Sequence, residues 1–309
     1  MNVRTDLAIE QHARLSDKEG TETEERTVGI THVQKVRIVT AGAAARMGKP
    51  RGMYVTLYDE TLKSGDMGKE EQEALSRLLA DEVKALLPSH GCVLVVGLGN
   101  RHITADALGS AVTEKLMVTR PLSLAANEGP SPFRSVCALS PGVLGVTGIE
   151  TAEIVRGVVD FVRPGCVVVI DALAAREMRR IGTTVQVTDT GICPGSGVGN
   201  HRMALNEETL GVPVIAIGVP MVVYASAILR DGMALLLEDM EMAENDRQQA
   251  LFDLVDKAMD GGNGDMVVTP RDVDALVGRV AGVVALGINM ALQSSLSAEE
   301  ILLFTHDHL

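Results

Sequence analysis

The sequence predicts an α/β protein in which a mostly parallel sheet is flanked by helices. From residue 92 onward, short apolar runs alternate with segments of helical periodicity, which is typical of parallel strands joined by helical crossovers. The run 166–170 is apolar throughout, as expected of a strand buried on both faces. With 309 residues and 46% hydrophobic content, the chain can bury one large core or two smaller ones.

The chain begins with a stretch that differs from the rest in charge. Residues 1–28 are polar and acid-rich and predict a flexible or loosely docked leader. A helix over 70–87 has clear periodicity and ends before Pro88, which cannot continue it. We therefore expect a single α/β domain over residues 29–309, with a variable acidic segment near 238–264.

The remaining elements follow from apolar runs for strands and from helical periodicity for helices. Strands are predicted at 33–40, 54–58, 92–96, 136–139, 166–170, 184–188, 213–218 and 266–268. Helices are predicted at 105–118, 150–162, 173–181, 220–237 and 270–292. A loop over 41–52 is expected to join the first two strands.

Composition excludes several classes of partner. The formal net charge is −13, only 2% of residues are aromatic and tryptophan is absent, so neither a basic groove nor a stacking platform for nucleic acid is predicted. The four cysteines form no Cys-x-x-Cys pair, which predicts reduced core thiols and argues against a zinc site built from them. No cofactor is predicted, and participation of a metal is the less favoured alternative. No signal peptide or membrane span is predicted. We expect a cytoplasmic protein.

The segment GLGNRHITADALG, residues 97–109, directly follows an apolar run. A dinucleotide-binding loop needs a third glycine, but His102 occupies that position, and no acid ends the next apolar run. We therefore disfavour a nucleotide-binding module and single out Asp106, which is predicted in the first turn of the following helix. An acid there can simply complement the helix dipole, so Asp106 alone does not define a site.

A second acid occupies a similar position. Asp171 follows the apolar run 166–170 at once, and open parallel sheets bind ligands beyond the carboxyl ends of their strands. If the two strands are neighbours, roughly 4.8 Å apart, Asp106 and Asp171 can approach each other. Close carboxylates do not both ionise easily, so one can activate water while the other donates a proton. The sequence predicts this acid–base pair without showing that the strands are adjacent.

Two glycine-containing loops are candidates for binding substrate, because successive backbone N–H groups can bind an anion or a peptide carbonyl. The candidates are Gly97, Gly99 and Asn100 in the first loop and Gly195, Ser196 and Gly197 in the second. The second loop, TGICPGSGVGN at 190–200, misses the Gly-x-Ser-x-Gly pattern of a serine nucleophile by one position. Ordinary loop flexibility remains the alternative explanation for its glycines.

Several longer motifs together resemble the germination protease family of endospore-forming bacteria. They are GLGN and TADALG within 97–109, SPGVLGVTGIET at 140–151, IDALAAR at 170–176, DTGICPGSGVGN at 189–200, LGVPVIAIGVP at 210–220 and MVVTPRDVD at 266–274. The resemblance extends over nearly the whole chain. It implies an endopeptidase that degrades small acid-soluble spore proteins when a spore germinates, and therefore a location in the spore core.

The family is regarded as atypical aspartic peptidases, and its two catalytic acids correspond to Asp106 and Asp171. The resemblance also implies a homo-tetramer and a three-layer, phosphorylase/hydrolase-like fold similar to that of the hydrogenase maturation proteases. The triplet at 189–191, Asp-Thr-Gly, is a false lead, since pepsin-like dyads require an unrelated all-β fold. Two alternatives stay open: a metal-assisted maturation-type peptidase, and a peptidyl-tRNA hydrolase-like hydrolase, whose family also has a GLGN turn.

The leader resembles a cleavage site. Family substrates are cleaved after the first acid of a segment of the form Thr-Glu-apolar-Ala-x-Glu, and residues 5–10, Thr-Asp-Leu-Ala-Ile-Glu, reproduce that order with Asp in place of Glu. We therefore expect a zymogen that cleaves itself between Asp6 and Leu7. Acidification is the expected trigger, because protonation of Asp6 removes its repulsion from Asp106 and Asp171 as the leader enters.

Overall fold

Nine strands form one sheet in the computed structural model, which describes residues 5–125, 132–193, 203–239 and 266–306. The strands are β1 (Thr21–Val28), β2 (Thr31–Ile38), β3 (Gly52–Tyr58), β4 (Val93–Gly97), β5 (Val136–Leu139), β6 (Cys166–Ala175), β7 (Thr184–Thr188), β8 (Val214–Tyr224) and β9 (Val267–Val268). Their order across the sheet is β1-β2-β3-β7-β8-β6-β4-β5, and β9 pairs with β8.

The sheet has a parallel half and an antiparallel half. β5, β4, β6 and β8 run parallel, whereas β1, β2, β3 and β7 alternate in direction and β7 meets β8 antiparallel. The connection between β1 and β2 is a tight turn at Gly29, with φ +60°, and so short a connection can join only antiparallel strands. The predicted α/β class is confirmed, but the sheet is mixed and not mostly parallel.

Helices cover both faces of the sheet, which gives three layers. The helices are α1 (Ala8–Ala13), α2 (Ala41–Met47), α3 (Lys69–Leu86), α4 (Leu108–Thr113), α5 (Arg120–Ala125), α6 (Leu144–Thr147), α7 (Thr151–Val162), α8 (Glu207–Leu210), α9 (Ala225–Asp239), α10 (Val273–Leu292) and α11 (Ala298–His306). α3, α4 and α10 share one core with the sheet. On the other face, α7 covers the parallel half, and α1 and α2 pack over β2 and β3.

α10 is the one helix among the described residues that is long and apolar enough to cross a membrane. Its most apolar window has a mean hydropathy of 1.8, and 72% of that window is buried inside the protein. The helix contacts α3 and α4. An all-round apolar helix with this burial is what the core of a large α/β domain requires.

The prediction of a flexible or loosely docked leader is wrong for the described residues from Thr5 onward. β1 pairs with β2 along its whole length, so the boundary predicted after residue 28 falls inside a β-hairpin. Leu7 and Ala8 are fully buried. The charged, exposed sequence of β1 instead reflects an edge strand, on which charges discourage pairing with another chain. Most of the acidic segment predicted near 238–264 lies outside the described residues.

Two strands are longer than predicted, and one predicted loop contains a helix. β6 continues to Ala175 and pairs with β8 where a helix was expected over 173–181, and β8 continues to Tyr224 into the helix predicted over 220–237. The alanines of β6 favour a helix locally, but pairing within the sheet overrides this preference. Within 41–52, Thr40 caps α2 by accepting a backbone N–H.

Candidate active site

Asp171 lies inside β6, at the point where the neighbouring strand β4 ends. The last paired residues of β4 and β6 are Gly97 and Ile170, so Asp171 lies just beyond the carboxyl end of β4. The residue is 6% exposed, and Oδ1 accepts the N–H of Ala172 at 3.0 Å. β4 and β6 are adjacent, which is the condition on which the predicted acid–base pair depends.

Asp106 lies in the loop that leaves β4, within a 3₁₀ turn at Thr104–Asp106. It therefore precedes the short helix α4 and does not belong to the helix predicted over 105–118. The N–H of Asn100 donates to Oδ2 of Asp106 at 2.7 Å. Gly99 has φ +100°, and a Cβ there would lie 1.9 Å from the carbonyl oxygen of Asp106. Only glycine permits this approach, so the loop folds back tightly and fixes Asp106.

The candidate loop residues therefore have positioning roles where the structure describes them. Gly97 lies against α4, where a Cβ would be 2.1 Å from the carbonyl oxygen of Gly109, while Gly99 and Asn100 hold Asp106. None of these loop residues lines the cavity beside Asp106, so their contact with substrate stays a prediction. The other candidates, Gly195, Ser196 and Gly197, lie outside the described residues.

One cavity of about 460 Å³ is lined by both acids and by the amino-terminal Asp6. The register of the sheet explains part of its shape. Asp171 in β6 and Gln186 in β7 both pair with Gly218 of the intervening strand β8. Paired residues of adjacent strands project to the same face. The side chains of Asp171 and Gln186 therefore lie on either side of Gly218, which has no side chain. Asp106 completes the cavity from the loop after β4.

Residues 5–10 dock against the carboxyl-terminal end of β6. The N–H of Asp6 donates to the carbonyl oxygen of Ala174 at 2.9 Å. In return, the N–H of Ala174 donates to Oδ2 of Asp6 at 2.9 Å. The segment is thus anchored to β6 by one backbone hydrogen bond and one side-chain hydrogen bond of Asp6, and from Ala8 the chain continues as α1.

The carbonyl oxygen of Asp6 accepts two side-chain hydrogen bonds. Lys49 Nζ donates at 2.9 Å and Gln186 Nε2 donates at 3.3 Å. Gln186 also accepts the N–H of Ala8 through Oε1 at 2.7 Å. The peptide bond between Asp6 and Leu7 is therefore fixed by contacts on both of its sides.

Side chains fix the register of the same segment. Leu7 is 0% exposed and packs in a small apolar cluster with Leu173 of β6. Glu10 is also buried, and its carboxylate accepts the backbone N–H groups of residues 176–177, each at 2.9 Å. Arg180 Nε lies 3.6 Å from the same carboxylate. An apolar side chain and an acid three residues later are thus each bound by a dedicated part of the protein.

Sequence reasoning missed Lys49 and Gln186. Lys49 follows Gly48, whose left-handed conformation (φ +61°) ends α2 and turns the chain. Gln186 lies in the strand Thr-Val-Gln-Val-Thr, and it is only 6% exposed. A polar residue alternating with valine in a buried strand was the available signal, because buried polar groups need hydrogen-bonding partners. Nothing in the sequence around Lys49 gave a comparable signal.

Burial alters the ionisation of two groups at the cavity. Desolvation lowers the pKa of Lys49, while the nearby Asp6 partly opposes this shift. Desolvation also raises the pKa of Tyr54 to about 12, so its phenol stays protonated and donates to the carbonyl oxygen of Pro50 at 3.0 Å. Both shifts indicate weak access of water, and charges interact more strongly in such surroundings.

Comparison with known proteins identifies the family. The germination protease family profile (Peptidase_A25) matches residues 2–263. The chain belongs to this family. It is 41% identical to the germination protease of Caldanaerobacter subterraneus, with 97% of each chain covered, and 42% identical to one from Clostridium perfringens, with 97% and 98% covered. The Halalkalibacterium halodurans germination protease is 34% identical, with 99% and 97% covered.

The resemblance inferred from the motifs is therefore confirmed, and the protein is a peptidase. Among solved structures, the NiFe hydrogenase maturation protease HycI from Thermococcus kodakarensis is similar over 45% of this chain and 80% of its own. The sequence identity is 21% and the TM-score 0.31. Membership of the germination protease family favours peptide-bond hydrolysis over the peptidyl-tRNA hydrolase-like alternative and over a nucleotide-binding module.

Proposed function

We propose that this member of the germination protease family is an aspartic-type endopeptidase that begins the degradation of small acid-soluble spore proteins in the spore core. It is made as a zymogen and cleaves itself between Asp6 and Leu7. The observation that supports this most directly is the docked segment 5–10, which is hydrogen-bonded to β6 and whose Asp6 lines one cavity with Asp106 and Asp171.

Asp106 and Asp171 act as the acid–base pair. Two carboxyl groups at one cavity hold a single proton more readily than they both ionise. The ionised group takes a proton from water, whose oxygen then attacks the carbonyl carbon of the scissile bond, and the protonated group supplies a proton to the leaving nitrogen. Asp171 lies on β6 and Asp106 in the loop that leaves the adjacent strand β4, so both acids line the same cavity.

The docked leader also accounts for inhibition of the zymogen. Its backbone pairs with β6 through Asp6, and its side chains fill the positions around Leu7 and Glu10. A protein substrate that needs the same strand is excluded until the chain is cut, residues 1–6 leave, and the new amino terminus at Leu7 undocks. The leader is docked in this structure, where Oδ2 of Asp6 accepts the N–H of Ala174. We propose that acid also supplies the proton that the pair requires.

The contacts of the leader also support the proposed substrates. An acid at the position of Asp6 binds a backbone N–H of β6, an apolar residue follows, and Glu10 is bound by two further N–H groups. This order matches the Thr-Glu-apolar-Ala-x-Glu segment expected in small acid-soluble spore proteins. The proposed homo-tetramer depends on the family resemblance alone.

Mild acid is expected to convert the purified full-length chain to a form that begins at Leu7. The reason is that protonation at the carboxyl-lined cavity provides the general acid for cleavage of the Asp6–Leu7 bond. Amino-terminal sequencing and intact mass over time measure the conversion, with the Asp171→Asn variant as the uncleaved control. A fully active enzyme that retains Met1 would contradict the zymogen proposal.

Chelation of divalent metals is expected to leave proteolysis unchanged, within about twofold. Among the residues that the structure describes, no three His, Cys, Asp or Glu side chains are grouped as a metal site requires, and the carboxyl pair can activate water by itself. Activity on a small acid-soluble spore protein is measured before and after EDTA treatment. Loss of activity that is restored by a divalent ion would favour the metal-assisted alternative.

A further inference from the structure

We propose that Lys49 and Gln186 form the oxyanion-binding pair of this peptidase. The assignment rests on the proposed cleavage between Asp6 and Leu7, because it identifies the carbonyl oxygen of Asp6 as that of the scissile bond. This oxygen accepts hydrogen bonds from Lys49 Nζ at 2.9 Å and from Gln186 Nε2 at 3.3 Å. Both side chains line the cavity that contains Asp106 and Asp171.

The donors and the acids come from different elements of the fold. Lys49 lies directly after α2, and Gln186 lies on β7. Asp171 lies on β6 and Asp106 in the loop after β4. Gln186 and Asp171 flank a glycine of β8 in the same row of the sheet, so roughly 10 Å separates their strands. The side chain of Leu173 lies over that glycine, and Leu7 of the leader packs against Leu173.

The chemistry requires donors at this oxygen. When water adds to the carbonyl carbon of Asp6, the carbon–oxygen double bond becomes a single bond and the oxygen takes the electron pair as a negative charge. The ionised aspartate keeps the proton lost by the water. The intermediate then collapses: the carbonyl re-forms, the bond to the nitrogen of Leu7 breaks, and the protonated aspartate gives its proton to that nitrogen. The products are a carboxyl group on Asp6 and an amine on Leu7.

A cation beside the oxygen favours the intermediate over the uncleaved peptide. The ammonium of Lys49 interacts weakly with a neutral carbonyl and strongly with an oxyanion, which is the differential binding that lowers a barrier. Lys49 is also partly desolvated, as the direction of its pKa shift indicates, and desolvation strengthens the interaction. Gln186 supports the same oxygen while its Oε1 fixes the N–H of Ala8 on the leaving side.

The first test uses the intramolecular reaction, whose rate constant contains no binding step for a second molecule. Lys49→Met removes the ammonium and keeps the length of the side chain, and Lys49→Arg keeps the charge. Lys84→Met, on the exposed side of α3, is the matched control. We expect Lys49→Met to lower the first-order rate constant of self-cleavage by about 100- to 1,000-fold. Lys49→Arg should recover part of that loss, and the control should match the wild type.

A second measurement separates an oxyanion role from simple docking of the leader. Hydrogen exchange of the peptide that spans residues 5–13 reports docking, and it should be as slow in Lys49→Met as in the wild type. For the processed enzyme acting on a peptide of the leader sequence, Lys49→Met should lower kcat and leave KM within about threefold, since an interaction made mainly in the transition state affects kcat. Gln186→Met should show the same pattern with a smaller loss.

Three results would overturn the assignment. Self-cleavage of Lys49→Met at the wild-type rate would exclude an oxyanion role. Rapid exchange of residues 5–13, or an effect confined to KM, would show that Lys49 only binds the leader. If the wild-type chain is never cut between Asp6 and Leu7, the proposed self-processing fails and this assignment fails with it. The first two results leave wild-type cleavage intact, so they are distinguishable from the third.

Discussion

Replacing Asp171 or Asp106 by asparagine is expected to abolish proteolysis, with a loss of about 100- to 10,000-fold or more. The amide is nearly the same size as the carboxyl group but does not exchange a proton near neutral pH. In Asp171→Asn, the side-chain oxygen can still accept the N–H of Ala172, which Asp171 binds at 3.0 Å. We therefore expect the free energy of unfolding to change by no more than about 1 kcal/mol.

Asp189→Asn is the matched control for both acids. Asp189 belongs to the Asp-Thr-Gly triplet, but it is exposed and its Oδ1 accepts the N–H of Met53 at 2.8 Å, which an asparagine oxygen can also do. The variant should keep wild-type activity on a small acid-soluble spore protein, as followed by mass spectrometry of the fragments. Full activity in folded Asp106→Asn or Asp171→Asn would remove that residue from the proposed mechanism.

Gly99→Ala is expected to destabilise the protein by about 3 kcal/mol or more and to remove activity as well. Gly99 has φ +100°, where a side chain is strained, and its Cβ would overlap the carbonyl oxygen of Asp106 at 1.9 Å. Such strain and overpacking each cost about 1–3 kcal/mol. To relieve this overlap, the backbone of Asp106 has to move. The hydrogen bond from the N–H of Asn100 to the carboxylate of Asp106 is then disturbed as well.

Urea unfolding of Gly99→Ala and Gly157→Ala provides the comparison. Gly157 lies inside α7, and a Cβ there meets nothing within 4 Å. The control substitution should therefore be neutral or stabilising by up to about 1 kcal/mol, because alanine loses less conformational entropy in a helix. Equal stability of the two variants would show that the close contact between Gly99 and Asp106 does not constrain the loop.

The order of the strands β2 to β9 along the chain was predicted from the sequence, because local patterns carry it, whereas β1 was missed. The apolar runs before Asp106 and Asp171 predict β4 and β6 and place both acids near the ends of strands that ligands commonly approach. The family motifs then extend over nearly the whole chain. Periodicity and glycine spacing arise from residues close in sequence, so a single chain is enough to find them.

Only the tertiary structure decided which strands are neighbours and what the leader does. Pairings between distant segments make β4 and β6 adjacent. They also place Asp171 of β6 and Gln186 of β7 opposite the same residue of β8. Sheet pairing also overrode the helical preference of the alanines in β6. Lys49 and Gln186 reach the same carbonyl oxygen although they lie far apart in the sequence. Composition made the leader look flexible, whereas its burial comes from long-range contacts that no local pattern encodes.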